Sequence, residues 1–261
     1  MVSDDARQRI VARLDAIAKE KGVEVLYAAE SGSRAWDIAS PDSDYDVRFL
    51  YRHPRDWYLS VREPRDVIEY PIDEHALDIN GWDIRKALRL FLKSNPGLYE
   101  WLSSPIVYAE VGGLAGELRA LVRKRYDRRA LAWHYANLAK GNWKSHIEGK
   151  EPVNTKKYFY VIRPLACLLW IAGRDDWPPM RFGELIESAG LAAGVRRELD
   201  ALVRDKRNAG ELTDGPRQPA LDAWIIDAID RARDICDALP KGGPDLDTVD
   251  ALFRRCLDAE T

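Results

Sequence analysis

Asp44 and Asp46, in "SDYDVRFL", stand two residues apart where a polar stretch gives way to an alternating, β-prone one. The two-residue period of a strand sends both carboxylates to one face. Two anions held side by side repel each other unless a cation lies between them. An all-oxygen pair of this kind suits Mg²⁺ or Mn²⁺, which complete their shells with water and substrate phosphates. The chemistry that needs such an arrangement is two-metal nucleotidyl transfer, with the ions roughly 3.5–4 Å apart. Twelve residues before Asp44, Gly32-Ser33 follows directly on "VEVLYAAE". Glycine there lets the backbone approach an anion, and its N–H groups with the Ser33 hydroxyl are suited to cradle β- and γ-phosphates. Arg34 adds a charged donor beside them.

A two-metal site also wants a third carboxylate on a neighbouring strand. Asp78, flanked by apolar residues in "ALDIN", is the first candidate, and Asp83 in "WDIR" is its rival, although Asp83 also reads as a helix N-cap. Alone, "SPDSDYD" is an ordinary turn, and Asp37 and Asp42 read as solvated loop acids. The order strand, Gly-Ser, interval, Asp-x-Asp, strand carries the reading.

The elements that must position these residues follow from periodicity. Residues 4–20 place Ile10, Leu14 and Ile17 at helical spacing, with Gly22 as the stop. Strands are expected at 23–30, 45–52, 65–70 and 74–80, and in "PIVYAE". "HPRDWYLSVREP" reads as a loop or short helical turn, and "DIRKALRLFLKS" as a helix ended by Asn95-Pro96. Helices are then expected at 112–125, 128–148, 154–172, 182–190, 194–209, 217–238 and 245–258, with "TDGPRQP" (213–219) a turn or mobile tip. Strands concentrate early and helices late, which predicts an α+β unit over 1–111 followed by a helical unit over 112–261.

In the 154–172 helix, Tyr158, Val161, Ile162, Leu165, Leu168 and Leu169 form the core stripe. Lys156, Tyr160 and Arg163 fall on another stripe, with Lys157 adjoining, and this face suits a nucleotide's triphosphate and base. The basic runs "RKRYDRR" (123–129) and "RKALR" (85–89) are solvated faces or phosphate contacts for RNA.

Among 261 residues, 40 Lys and Arg stand against 43 acids, so bulk charge draws the chain to neither nucleic acid nor an anionic membrane. No apolar run approaches a membrane span. Three widely spaced cysteines suggest reduced thiols in a cytoplasmic protein, and the four histidines show no metal-ligand spacing.

With its Gly-Ser turn, Asp-x-Asp strand and later acid, the chain resembles the DNA polymerase β-like nucleotidyltransferases. It is most similar to those predicted for bacterial and phage RNA-repair pathways. "ESGSRAWDIASPDSDYDVRFLY", "LDINGWDIRKALRL" and "KKYFYVIRPLACLLWI" carry the likeness, which spans residues 30–172. The resemblance implies a mixed-sheet nucleotidyltransferase domain followed by a helical domain. Gly32 and Ser33 would hold phosphates, and Asp44, Asp46 and Asp78 would hold metal. An NTP would be the substrate and an RNA end the acceptor, with an RNA-repair enzyme as a possible partner. Asp37 stands where relatives more often carry glycine. Transfer to a protein or small molecule, or NTP binding without turnover, are the other readings that the sequence leaves open.

Overall fold

A computed structural model describes residues 2–209 and 214–258. It has an α+β architecture in two compact units. One comprises Met1–Ala35, Asp44–Tyr126 and Gly243–Thr261, the other Trp36–Ser43 and Asp127–Gly242. This apportionment differs from a single cut at 111/112. The helix Leu246–Asp258 belongs with the sheet, and residues 36–43 belong with the helices.

In the sheet unit, helix α1 (Asp4–Lys21) is capped by Ser3, whose Oγ accepts from Ala6 N at 3.2 Å, and closes at Gly22 with φ 62°. Strand β1 (Glu24–Glu30) runs into the short helix α2 (Gly32–Ala35), and β2 (Tyr45–Arg52) follows. After α3 (Arg55–Tyr58) come β3 (Val67–Glu69), β4 (Leu77–Asp83), α4 (Ile84–Leu92), α5 (Pro96–Leu102), β5 (Val107–Glu110) and α6 (Leu114–Lys124). Asn95-Pro96, expected only to end a helix, also begins one. Asn95 Oδ1 accepts from Leu98 N at 3.3 Å and Pro96 occupies the first turn, where its missing N–H costs nothing.

The sheet order is β3-β4-β2-β1-β5. Among the described residues only β2 and β4 pair in parallel, with Asp46 opposite Asp78; the other pairs of this sheet are antiparallel. One face buries Val47, Phe49, Tyr51 and Ile79 against Ile10, Leu14 and Ile17 of α1. The alternate residues of β4 point the other way, and there Trp82 meets Trp101 of α5 at 3.8 Å between ring centroids. Asp46, Arg48 and Asp78 share this second face by the same alternation.

The helical unit contains α7 (Arg128–His146), β6 (Val153–Asn154), α8 (Lys156–Gly173), α9 (Phe182–Glu187), α10 (Ala193–Ala209), β7 (Asp214–Gly215) and α11 (Pro219–Ala238). β6 and β7 pair antiparallel, so part of the expected 213–219 tip is a strand; Thr213 lies outside the described residues. Pro164 sits inside α8 and cannot donate to the Tyr160 carbonyl. Asn142 of α7 takes over, its Nδ2 donating to Tyr160 O at 3.2 Å. Tyr158, buried in the same helix, donates from its hydroxyl to Asp222 Oδ1 at 2.7 Å, and Arg217 Nε donates to Asp222 Oδ2 at 2.8 Å. The last helix, α12 (Leu246–Asp258), returns to the sheet unit, where Phe253 stands edge-on to Tyr58 at 5.4 Å.

Gly81 lies in β4 against the ring of Phe49, which is fully buried, and a methyl at position 81 would fall inside that ring's van der Waals envelope. Gly81→Ala should therefore destabilise the protein by roughly 1–3 kcal/mol through overpacking. Chemical denaturation compared with the parent checks this, and an unchanged midpoint would contradict it.

Candidate active site

The parallel register of β2 and β4 sets Asp46 and Asp78 side by side near the start of both strands. Arg48, two residues along and on the same face, turns its guanidinium between them. Nη2 donates to Asp46 Oδ1 at 3.0 Å and to Asp78 Oδ2 at 2.7 Å. Nη1 donates to the carbonyls of Asp78 at 2.9 Å and Val47 at 3.1 Å. Burial pushes the Asp46 carboxyl above its ordinary range; Arg48 opposes this, and the Asp78 and Asp44 charges add to it.

The Gly-Ser turn is built onto Asp46. Ser31 N donates to Asp46 O at 2.8 Å. Gly32 has φ 57°, and Asp46 Oδ2 rests where a side chain at position 32 would begin. Both the left-handed backbone and the close approach demand glycine. Ser33 follows in the first turn of α2, where backbone N–H groups have no partners within the helix. Arg34 Nε donates to Asp44 O at 3.1 Å, and its guanidinium lies 4.1 Å from the centroid of the Tyr45 ring. Gly32, Ser33, Arg34, Asp44, Asp46 and Asp78 thus belong to one compact unit of the chain, around the end of β1 and the starts of β2 and β4.

Asp83 ends β4, five residues beyond Asp78, which along a strand is roughly 16 Å. It is fully buried, accepts from Tyr58 Oη at 2.7 Å and Arg85 N at 2.8 Å, and caps α4. The structure brings Asp78, not Asp83, beside Asp46.

Two residues escaped the sequence reading. Arg48 continues the face of Asp44 and Asp46 by the same two-residue period, and that spacing was the available signal. Glu30 closes a largely apolar strand immediately before the Gly-Ser turn. It is fully buried: Oε1 accepts from Asp46 N at 2.9 Å, and Oε2 accepts from Tyr108 Oη. Burial pushes its carboxyl up to about 7, against the opposing pull of those two hydrogen bonds.

Among the described residues, no three carboxylate, imidazole or thiolate side chains converge closely enough to hold a metal ion as they stand. The donor set still fits a hard divalent cation. Its ligands are oxygens, two carboxylates are already adjacent, and a guanidinium stands between them in a cation's position.

Within the helical unit, α8 carries Lys156, Lys157, Tyr160 and Arg163. Lys156 and Lys157 are half-buried, and the Lys157 ammonium lies 5.2 Å from the ring centroid of the exposed Tyr160. Arg163 departs from the expected open stripe. It is 4% exposed, its guanidinium lies 4.5 Å from the Trp36 ring centroid, and Nη2 reaches Met180 Sδ at 3.5 Å. Asp37, next to Trp36, has φ 63°, a conformation glycine adopts freely and Asp tolerates. Arg207 Nη2 holds its carbonyl at 2.6 Å.

The basic runs are largely engaged locally. Arg128 Nη2 donates to Ile171 O and Arg129 Nε to Leu239 O, carbonyls at helix C-terminal ends where cations are favoured. The side chains of Arg123 and Lys124 lie outside the described residues. In the run at 85–89, Lys86 pairs with Asp66 at 3.0 Å and Arg89 with Glu63 at 3.4 Å.

Because the folded pKa of Glu30 is raised, the stability it contributes is complete below its ordinary value of 4.5 and is lost as pH rises through about 7. Glu30→Gln keeps an acceptor for Asp46 N and removes the ionisation. It should be more stable than the parent at pH 8, by about 3 kcal/mol at most, with the difference vanishing near pH 4. Denaturation curves at the two pH values measure this, and a pH-independent difference would contradict it.

A Bacillus subtilis (strain 168) protein described as "Uncharacterized protein YcgL" is 44% identical over 225 residues, covering 86% of both chains. Among solved structures, a nucleotidyltransferase-like protein from Exiguobacterium sibiricum 255-15 aligns with 88% of this chain and 75% of its own, at TM-score 0.34 and 14% identity. The profile of the RNA repair pathway DNA polymerase beta family matches residues 6–255, and the chain belongs to that family.

Proposed function

We propose that the protein transfers a nucleoside monophosphate from an NTP to a hydroxyl on an RNA end, releasing pyrophosphate. The observation that carries this reading is the adjacency of Asp46 and Asp78 on parallel strands, with the Gly32 turn built onto Asp46. The family's description supports nucleotidyl transfer, and its RNA-repair pathway is in keeping with an RNA acceptor.

In this mechanism, Gly32 and Ser33 offer backbone N–H groups, and the Ser33 hydroxyl a further donor, to the β- and γ-phosphates. Arg34 adds positive charge at the same turn while bracing the Asp44 carbonyl. The acceptor oxygen attacks the α-phosphorus. Its bond forms as the bond from α-phosphorus to the bridging oxygen breaks, and the electron pair leaves with pyrophosphate. Asp78 would take the proton of the attacking hydroxyl, and the donors at the turn would stabilise the leaving charge. Asp44, Asp46 and Asp78 would hold Mg²⁺ or Mn²⁺, which when bound neutralises phosphate charge and favours ionisation of the hydroxyl.

For the helical unit, Lys156, Lys157 and Tyr160 offer charge and an exposed ring, the chemistry that phosphates and a base use. Arg163, turned onto Trp36, supports that surface from within. A cytoplasmic location agrees with three cysteines present as thiols, and no helix among the described residues is long and apolar enough to cross a membrane.

Pyrophosphate release from each NTP, with Mg²⁺ or Mn²⁺ and a mixed RNA pool, should depend on metal and rise with RNA, and a chelator should stop it. Asp46→Asn should lower the rate by about a hundredfold or more while the melting temperature stays near the parent's. Product mass identifies the acceptor: a lengthened RNA supports the reading, whereas nucleotide found only on protein or a metabolite replaces it. Normal turnover by Asp46→Asn would overturn the site assignment.

Gly32→Ala gives a second test. Its methyl group would collide with the Asp46 carboxylate on a backbone that disfavours side chains. Activity should fall about as far as in Asp46→Asn, with some loss of stability, and wild-type kinetics would contradict the placement of the turn.

A further inference from the structure

We propose that Arg48 is the resident cation of the site, competing with the divalent ion for Asp46 and Asp78, so that the ion loads together with the nucleoside triphosphate. The inference rests on the nucleotidyl-transfer reading and adds to it an order of loading.

The guanidinium takes one oxygen from each carboxylate, Asp46 Oδ1 at 3.0 Å and Asp78 Oδ2 at 2.7 Å. It is also tied through Nη1 to two backbone carbonyls, Asp78 O and Val47 O. Four hydrogen bonds and a side chain only 18% exposed distinguish it from a loose surface pair. Strand pairing does not require this contact, because the β2/β4 ladder is made by the backbone. Its effect is on charge. The Asp46 and Asp78 carboxylates with the guanidinium between them leave one net negative charge, less than a divalent ion needs. The remaining oxygen of Asp46 faces the Gly32 turn, and an ion seated between the two carboxylates competes with the guanidinium for Asp46 Oδ1 and Asp78 Oδ2. Mg²⁺ gives up its water reluctantly and is usually held by one or two carboxylates together with substrate phosphates. A triphosphate supplies those oxygens and the extra negative charge that tips the competition away from Arg48.

A purely structural Arg48 predicts the opposite sign. If it served only to hold the two carboxylates together, its removal would splay them and weaken metal binding.

The test is Mn²⁺ binding to the full-length protein, read from the electron paramagnetic resonance signal of free Mn²⁺, with and without a non-hydrolysable triphosphate analogue. Arg48→Met should bind Mn²⁺ roughly tenfold or more tightly than the parent without nucleotide, the effect of removing a charge-assisted contact that competes with the ion. Arg48→Lys should fall between, and the gap should narrow with the analogue present. Arg48→Gln, which retains a donor for the Asp78 and Val47 carbonyls, is the second variant should Arg48→Met fail to fold. Unchanged or weaker Mn²⁺ binding by the folded variants overturns the inference while leaving nucleotidyl transfer standing if the parent binds Mn²⁺ with the analogue. Absence of Mn²⁺ binding by parent and variants alike, even with the analogue, overturns both.

Discussion

Parallel pairing of β2 with β4 forces two aspartates into adjacent positions, and the local structure answers the resulting repulsion. Two like charges about 4 Å apart repel by roughly 4 kcal/mol at the effective dielectric of a protein surface. A register shifted by one residue would have turned one acid to the opposite face. Arg48 supplies the opposing charge, and the Gly32 turn gives Asp46 a second boundary that excludes any side chain. The sheet's other face, with α1 packed on Val47, Phe49 and Ile79, fixes the register that makes this necessary.

The same sheet treats its acids in different ways. Glu30 and Asp83 are fully buried, and both carboxyls are pushed up by loss of water. Each accepts from a tyrosine hydroxyl and a backbone N–H. These are structural uses of a carboxyl: one ties β1 to the first residues of β2, the other caps α4. Asp46 and Asp78 keep some exposure and bond to a cation, a state that leaves them open to exchange with another cation. Contact with solvent and the nature of the partner, more than residue type, separate the candidate site from its supports.

Much of this was legible in the chain because it depends on local rules. Helical period located α6 through α12 to within a few residues, and two-residue alternation located β2, with Asp46 as its second residue and Asp44 just ahead of it. The choice between Asp78 and Asp83 was not legible. They lie five residues apart, so alternation along β4 turns them to opposite faces, and which of the two meets the acids of β2 is decided by long-range pairing. Arg48 was overlooked because an arginine in a strand reads as solvated until its partner on β4 is known. The burial of Arg163 depended on Trp36, a residue 127 positions earlier in the chain. Asp37, out of place as a non-glycine in the sequence, proved to sit at positive φ, where glycine is the usual solution.

The order of the chain carries a consequence for synthesis. The helical unit is continuous from Asp127 to Gly242 apart from the short segment 36–43, whereas the sheet unit needs residues from both sides of it. Helix α12 supplies the Cys256 carbonyl to Arg52 and the Phe253 ring to Tyr58. Until a ribosome has released α12, Arg52 lacks that carbonyl and the Tyr58 ring remains uncovered on that side. Domains on a growing chain generally fold as units in the order they emerge. Here the strands bearing the acids emerge first, yet their unit is completed last, and a transcript truncated before α12 would yield a chain whose helical unit is whole and whose sheet unit is not.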